Sequence, residues 1–311
     1  MTLRQLRFIC EIVDRGMSVS RAAEFLHTSQ PGISRQIQAL ERELGIVIFL
    51  RSKRRILGLT RPGEEVHEIA RKVLRATDGL RHIGTDFIAR DTGTLVVTTS
   101  HTHARYVLPK VIQAFNRLYP NVRVTLRQGN PVQVALWVSS GKADLSICSS
   151  PTQPVPGLTL LPCYDQHKIV LTPRNHPLQK CRPLTIEALA RHPLITYDSE
   201  FPTYSQVMRA FESAGCDPNV ILSATDVDVM KTYVKCGLGV AIVAALAYEA
   251  RTDRDLRAID ARHLFESNKI FVGVQEHTYL RGYALDFIQL FAPTMTREKV
   301  MKAVSGELHR R

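Results

Sequence analysis

The densest group of side chains suited to recognition chemistry lies between residues 30 and 38. Gln30, Ser34, Arg35, Gln36 and Gln38 share a segment with Ile33, Ile37, Leu40 and Leu44, whose spacings are 4, 3 and 4. That apolar spacing is helical, so the polar groups occupy the opposite face. Arginine and glutamine match the donor–acceptor pairs on guanine and adenine edges, which suits this face to the DNA major groove. The N-terminal end of such a helix reaches deepest. Gln30, Ser34 and Arg35 are therefore expected to contact bases, with Pro31 packing on a base edge or sugar. Shortly after come Arg51, Lys53, Arg54 and Arg55. These suit phosphate contacts, which give affinity without sequence information. The plain alternatives are a solvated helix face and a solubilising loop.

A second group begins where a β run ends. Thr99, Ser100, Thr102 and His103 stand at a strand-to-helix junction, where hydroxyls and backbone N–H groups favour an anion or carboxylate. Ser149 ends another expected strand on the same edge, and Thr203 is placed to close the site from elsewhere. Hydroxyls at such junctions also serve as simple N-caps. His101 and His103 would share a face if extended, but no Cys or carboxylate cluster completes a ligand set, so no metal is expected. Thr225 with Asp228 reads as a capping box. No GxSxG, P-loop or glycine-rich dinucleotide fingerprint occurs. Catalytic residues, a cofactor and an enzymatic activity are therefore not expected.

The elements that must hold the first group are short. Thr2 caps a helix over residues 2–15 that buries Leu3, Leu6, Ile9, Cys10 and Val13 on one face. Ser18 caps a second with Ala22 and Ala23, small enough for a close crossing. After a turn at His27 and Thr28, Ser29 caps the third, with Pro31 in its first turn and Gly45 at its end. Two helices joined by a tight turn make a helix-turn-helix. Residues 46–60 read as strand, basic turn and strand, a wing. Residues 61–89 carry Val66, Ile69, Ala70, Val73, Leu74, Leu80 and Ile83 in one long stripe. So small a domain cannot cover that stripe, so a second copy is the expected partner.

Charge agrees with this division. Residues 1–90 hold 16 Lys and Arg against 10 Asp and Glu, a net +6, while the other 221 residues share the remaining +6 of the total +12. The N-terminal part has more than twice the positive charge density, which is where nucleic acid is expected. Hydrophobic content of 44% and charged content of 23% suit a folded soluble chain. The longest apolar run, Val240 to Tyr248, is about half of a membrane span. The opening residues lack a signal-peptide core, so a cytoplasmic location and no membrane partner are expected. Cys10, Cys148, Cys163, Cys181, Cys216 and Cys236 are scattered, with no CxxC pair, and read as reduced packed thiols.

RAAEFLHTSQPGISRQIQALERELG, then IFLR, then LTRPGEEV, resemble the LysR-type transcriptional regulators. Farther along, TTSHTHARYVLPKVIQAFNRLYPNVRVTL, DQHKIVLTPRNHPL, ATDVDVMKTYVKCGLGVAIVA and YALDFIQLFAP resemble the branch that controls cysteine biosynthesis and sulfur or sulfonate assimilation. The resemblance implies operator DNA and a small-molecule effector as partners, a homodimer or homotetramer, and RNA polymerase as a further candidate. It implies that Thr99, Ser100, Thr102, His103, Ser149, Gln166 and Thr203 bind the effector, a sulfate-like anion or an acetylserine. Ser100 and Ser149 stand where that branch has threonine, His103 where it has glutamine, and Gln166 where it has an aromatic residue.

The expected fold is α/β. A winged helix-turn-helix spans 1–60 and a linker and dimerisation helix 61–90. An effector-binding domain over 91–311 follows, two-lobed like a periplasmic binding protein. Repeated β-α-β order over 91–162 and 163–268 gives two open sheets. Residues 269–295 return to the first, so the lobes form a clamshell. Ligands of such sheets lie beyond the carboxyl ends of strands.

Overall fold

Thr2 starts the first helix, α1 (Leu3–Asp14). Its hydroxyl accepts from the Gln5 N–H, and the Gln5 side chain accepts in return from the Thr2 N–H. This reciprocal pair satisfies two donors that a helix start leaves open. Ser18 caps α2 (Val19–Phe25) and Ser29 caps α3 (Gln30–Leu44), each hydroxyl accepting a backbone N–H of the first turn. Gly45, at φ 67°, ends α3 in the left-handed region that glycine tolerates. Ala22 and Ala23 are buried at the crossing, and Ile9, Ile12, Ile33, Ile37, Leu40, Ile48 and Phe49 complete one core. The wing is an antiparallel pair, β1 (Phe49–Ser52) and β2 (Arg55–Leu59). In this computed structural model the described residues are 1–52, 55–88, 91–276 and 278–305.

The long helix α4 (Arg61–Ile88) has 28 residues, about 42 Å at 1.5 Å per residue. Its apolar stripe divides in two. Val66, Ala70, Val73 and Leu74 pack on the core beneath, whereas Ile69 is 60% and Leu80 69% exposed. The chain separates into two compact units, Met1–Ile88 with His277–Tyr279, and Ala89–Glu276 with Leu280–Arg311.

The second unit has two sheets. The first lobe runs through β3 (Thr92–Thr99), α5 (His101–Tyr106), α6 (Leu108–Leu118), β4 (Asn121–Gln128), α7 (Pro131–Ser139), β5 (Leu145–Ser149) and β6 (Leu158–Gln166). The second runs through β7 (Lys168–Pro173), α8 (Ile186–Ala190), β8 (Leu194–Tyr197), α9 (Pro202–Ser213), β9 (Val220–Ala224), α10 (Val227–Lys235), β10 (Val240–Ala244) and β11 (Leu256–Asp260). The chain then returns through β12 (Asn268–Gln275), α11 (Gly282–Phe291) and α12 (Arg297–Val304). The sheet orders are β4-β3-β5-β12-β6 and β11-β7-β10-β8-β9. In each, three parallel strands are joined by one antiparallel strand, β12 in the first sheet and β7 in the second. Each is the first strand after the chain crosses between lobes, and an outer strand, β6 or β11, pairs antiparallel with it.

Several expectations are corrected. The first lobe does not end near 162: β6 continues to Gln166, held against β12 by register pairs Ile270–Tyr164 and Asn268–Gln166. It also extends past 295, since Val300, Ala303 and Val304 of α12 are buried in its core. Thr225 does not cap α10; the Asp226 carboxylate accepts the Asp228 N–H at 2.7 Å. His101 and His103 lie on α5, as the strand-to-helix junction implies, so the extended arrangement in which they would share a face does not occur. Two residues there are about 200° apart around the axis, so the rings diverge. Thr203 sits inside the first turn of α9, which opens on Pro202.

Candidate functional site

Around α3 the polar face divides by neighbour. Pro31, Arg35 and Gln38 are exposed on the side away from the core. Gln30 and Ser34 turn toward the wing and, with Gln38, Arg51 and Arg55, line one concavity of about 250 Å³. The Ser20 hydroxyl donates to Gln30 Oε1 at 3.2 Å and steadies that side chain. Gln36 lies on the other flank, where its Oε1 accepts from Gln5 Nε2 of α1 at 3.1 Å. Its amide is thus engaged in packing between α1 and α3. Arg51 is half committed too. Its guanidinium lies 3.0 Å from Glu41, whose other oxygen accepts the Ile48 and Phe49 N–H groups. Arg55 is exposed at the start of β2. Lys53 and Arg54 lie outside the described residues.

At the carboxyl ends of β3 and β5 the hydroxyls have unequal roles. Thr99 is fully buried and donates to the Ile147 carbonyl at 2.6 Å, tying β3 to β5. Ser100 caps α5, and its Oγ lies 2.9 Å from His103 Nδ1. Thr102 is buried and lies near Tyr197 of the second lobe. His103 is 2% exposed, with Nε2 3.0 Å from the Tyr164 hydroxyl. Burial lowers its pKa to about 4, so the ring is neutral at pH 7. Ser149 is half-buried at the end of β5, in the cross-strand row Ser149–Ile270–Tyr164. Residues opposite one another share a face, so Ser149 and Tyr164 stand on the same side of the sheet. Gln166, two residues on, joins that face; it is buried, and its Nε2 has no partner among the described residues. Thr203 accepts from Asn268 Nδ2 at 2.6 Å. Four of the seven expected residues, Thr99, Ser100, His103 and Thr203, thus have side chains bonded to protein groups, and Gln166 and Thr203 keep donors to offer.

Two polar groups lie outside the sequence-based expectations. Lys168, at the first crossing between lobes, is 1% exposed. Its Nζ donates to Gln206 Oε1 at 2.6 Å, to Asn268 Oδ1 at 3.2 Å and to the Glu266 carbonyl. Burial lowers its pKa to about 8, against a smaller opposing pull from Glu266. A lysine opening the apolar run KIVL is a legible signal; its partners, some of them about a hundred residues away, are not. The other group is a charged knot between α5 and α10. Asp228 accepts from the Tyr106 hydroxyl at 2.6 Å and lies 2.9 Å from Arg105 and 3.0 Å from His101. Lys231 bonds Tyr106 at 3.1 Å and pairs with the buried Asp253 at 2.6 Å. His101, Asp226 and Asp228 form the one group among the described residues whose spacing would suit a metal ion. Arg105 already occupies the Asp228 oxygen that such an ion would need, and Lys231 stands 3.9 Å from the other.

Two family descriptions match the chain: the bacterial regulatory helix-turn-helix protein of the lysR family over residues 3–64, and the LysR substrate binding domain over 89–296. SsuR of Burkholderia cenocepacia is 43% identical across 96% of this chain and 97% of its own. CysB of Haemophilus influenzae is 42% identical across 97% and 94%, and Cbl of Escherichia coli 38% across 98% and 96%. The crystal structure of the cofactor-binding domain of Cbl matches with a TM-score of 0.65 and 37% identity, over 68% of this chain and 93% of that one. A full-length OxyR variant from Pseudomonas aeruginosa matches with a TM-score of 0.69 over 96% and 98%, at 24% identity, which speaks for the fold. Among the described residues no helix is long and apolar enough to cross a membrane. With its helix-turn-helix, its two-lobed α/β unit and relatives along its whole length, the chain belongs to the LysR-type transcriptional regulators, DNA-binding proteins rather than enzymes, in the branch of SsuR, CysB and Cbl.

Proposed function

We propose that this regulator reads paired operator half-sites in the cytoplasm and answers to a small anion connected with sulfur metabolism. The observation that carries the DNA reading is the shared face of α3 and the wing. Arg35 and Gln38 are exposed there, and Gln30, Ser34 and Arg55 line one concavity beside them. Residues 1–60 serve as the DNA-binding domain, 61–90 as linker and dimerisation helix, and 91–311 as effector domain. Ile69 and Leu80 lie 11 residues apart, about three turns, on the same side of α4. Both are exposed and apolar, which supports a second copy packing there. RNA polymerase is a further partner for a regulator bound beside a promoter.

A dimer with two recognition helices engages half-sites about one helical turn apart. Footprinting of the full-length protein on its own promoter region should show that paired protection; a single isolated half-site would refute the dimer. For the effector, Ser100, Gln166 and Thr203 supply the donors and Ser149 a hydroxyl on the same sheet face as Gln166. A thermal-shift screen with sulfate, thiosulfate, adenylylsulfate, acetylserines and sulfonates should give at least one stabilising ligand. That shift should vanish in Ser100→Ala.

A further inference from the structure

We infer that Lys168 and Asn268 are positioning residues that turn one wall of the effector cleft into a donor surface for an oxyanion, acting through Thr203. The inference rests on the effector reading above. A lysine ammonium donates and never accepts. Its bond to Asn268 therefore fixes Oδ1 toward Nζ and leaves Nδ2 to face Thr203. Asn268 Nδ2 then donates to Thr203 Oγ1, so the Thr203 proton is not directed at Asn268. The hydroxyl must give it to a different acceptor. Direction thus passes from ammonium to amide to hydroxyl.

Gln166 supplies an independent observation. It is the register partner of Asn268, on the neighbouring strand. Its side chain is buried, with an Nε2 that has no acceptor among the described residues. A buried donor without a partner costs about 1–3 kcal/mol. A ligand oxygen at this wall would satisfy Gln166 and Thr203 together. Phe201 gives no side-chain cap to α9, so the helix start also favours negative charge there. The ammonium makes its bonds to three neutral oxygens, from α9, β12 and the loop before β12. Glu266 is the charged group it senses, and that carboxylate is exposed and faces Arg209. An acceptor-only oxyanion suits such a wall. A ligand presenting an ammonium here would meet donors and a buried positive charge.

The test is calorimetric titration of the full-length protein with inorganic sulfate, and with O-acetylserine as the ammonium-bearing probe. Asn268→Asp keeps the size and the lysine contact, removes the N–H, and adds negative charge. Sulfate affinity should fall tenfold or more, and the preference for sulfate over O-acetylserine should shrink. In the unsubstituted protein sulfate affinity should decline as pH rises through about 8. Lys168→Met should bind sulfate weakly with a flat profile from pH 7 to 9, a readout that mere loss of packing would not produce. Unchanged sulfate affinity in Asn268→Asp, a flat pH profile without substitution, tighter binding of O-acetylserine than of sulfate, or no sulfate binding at all would each overturn the inference. Ser100→Ala and Thr203→Val separate the two levels. If they abolish binding while Asn268→Asp does not, this inference alone fails. If they too leave binding unchanged, the effector site itself is elsewhere.

Discussion

His103 Nε2 and the Tyr164 hydroxyl lie 3.0 Å apart at the junction of α5 and β6, with Ser100 Oγ 2.9 Å from the other ring nitrogen. Burial keeps the imidazole neutral and holds the Tyr164 phenol protonated. A neutral ring has one donor and one acceptor nitrogen. If Tyr164 donates to Nε2, then Nδ1–H donates to Ser100, and the Ser100 proton is left for a different acceptor. That is the same directional logic that Lys168 and Asn268 impose on Thr203. A glutamine amide could be turned to either partner, but histidine couples both through one proton.

The neutrality of His103 has a cost in acid. Its pKa is about 4 in the folded chain, against 6.5 for an unperturbed histidine, so the unfolded chain binds the proton more readily between those limits. A histidine with a lowered pKa therefore loses stability as pH falls below 6.5, and the loss is complete below about 4. Between pH 7 and pH 5 this amounts to about 2 kcal/mol. His103→Gln should remove that part of the acid sensitivity. The measurement is denaturant unfolding of both proteins at the two pH values. Equal acid losses in both would show that His103 is charged in the folded state.

Arg35 and Arg55 should fail differently. Arg35 is exposed on α3, where a base edge would be read, and Arg55 opens the second wing strand, where phosphates would lie. Arg35→Ala should cost about 1–3 kcal/mol on the cognate site and little on random DNA. Arg55→Ala should weaken all sequences alike and reduce the salt slope by about 1. Binding isotherms on cognate and random duplexes across a salt series decide this. Equal behaviour of the two variants would remove the division between reader and clamp.

Gly63 is where the helix-turn-helix core meets α4. A Cβ there would fall on the Ile48 carbonyl oxygen, which is backbone and cannot swing aside. Gly63→Ala should destabilise the N-terminal unit by about 1–3 kcal/mol or more. Gly58 in β2 has nothing within 4 Å of the equivalent position, so Gly58→Ala should be within about 1 kcal/mol of neutral. Thermal melts of both variants provide the comparison, and similar midpoints would contradict the close approach.

How legible these features are depends on sequence distance. Caps at Thr2, Ser18 and Ser29, the stop at Gly45 and the wing are local, and their residues announce them. The strand β6 is hidden beyond 162 because Pro162 interrupts LTLLPCYDQ, while the structure absorbs it with a register shift beside Phe271. The helix α12 is hidden because the polar run TREK precedes and masks a face of three buried residues, Val300, Ala303 and Val304. In the cleft, Ser100 is legible from a strand-to-helix junction. Lys168 shows itself as a lysine opening an apolar run, but its meeting with Asn268 is not legible, since the two are a hundred residues apart. Asp228 looks like an ordinary first-turn carboxylate, and no local pattern distinguishes one that joins two lobes.

Asp228 carries the last prediction. Burial alone would raise its pKa, but hydrogen bonds from Tyr106 and His101 and the charges of Arg105 and Lys231 outweigh this and hold it below the usual value. Asp228→Asn keeps the shape and removes the charge that Arg105, Lys231 and His101 face. The loss should be about 1–3 kcal/mol, the range for hydrogen bonds to charged groups. Asp226→Asn should cost less, because Asp226 caps α10 and asparagine caps as well. Sign follows from the lowered pKa: the Asp228 contribution is present above the unfolded carboxyl pKa and disappears as pH falls through the folded one. The gap in thermal midpoint between the unsubstituted protein and Asp228→Asn should therefore be full at pH 7 and close in acid, below the unfolded carboxyl pKa. A gap that persists unchanged in acid would mean that the carboxylate charge is not what joins α5 to α10.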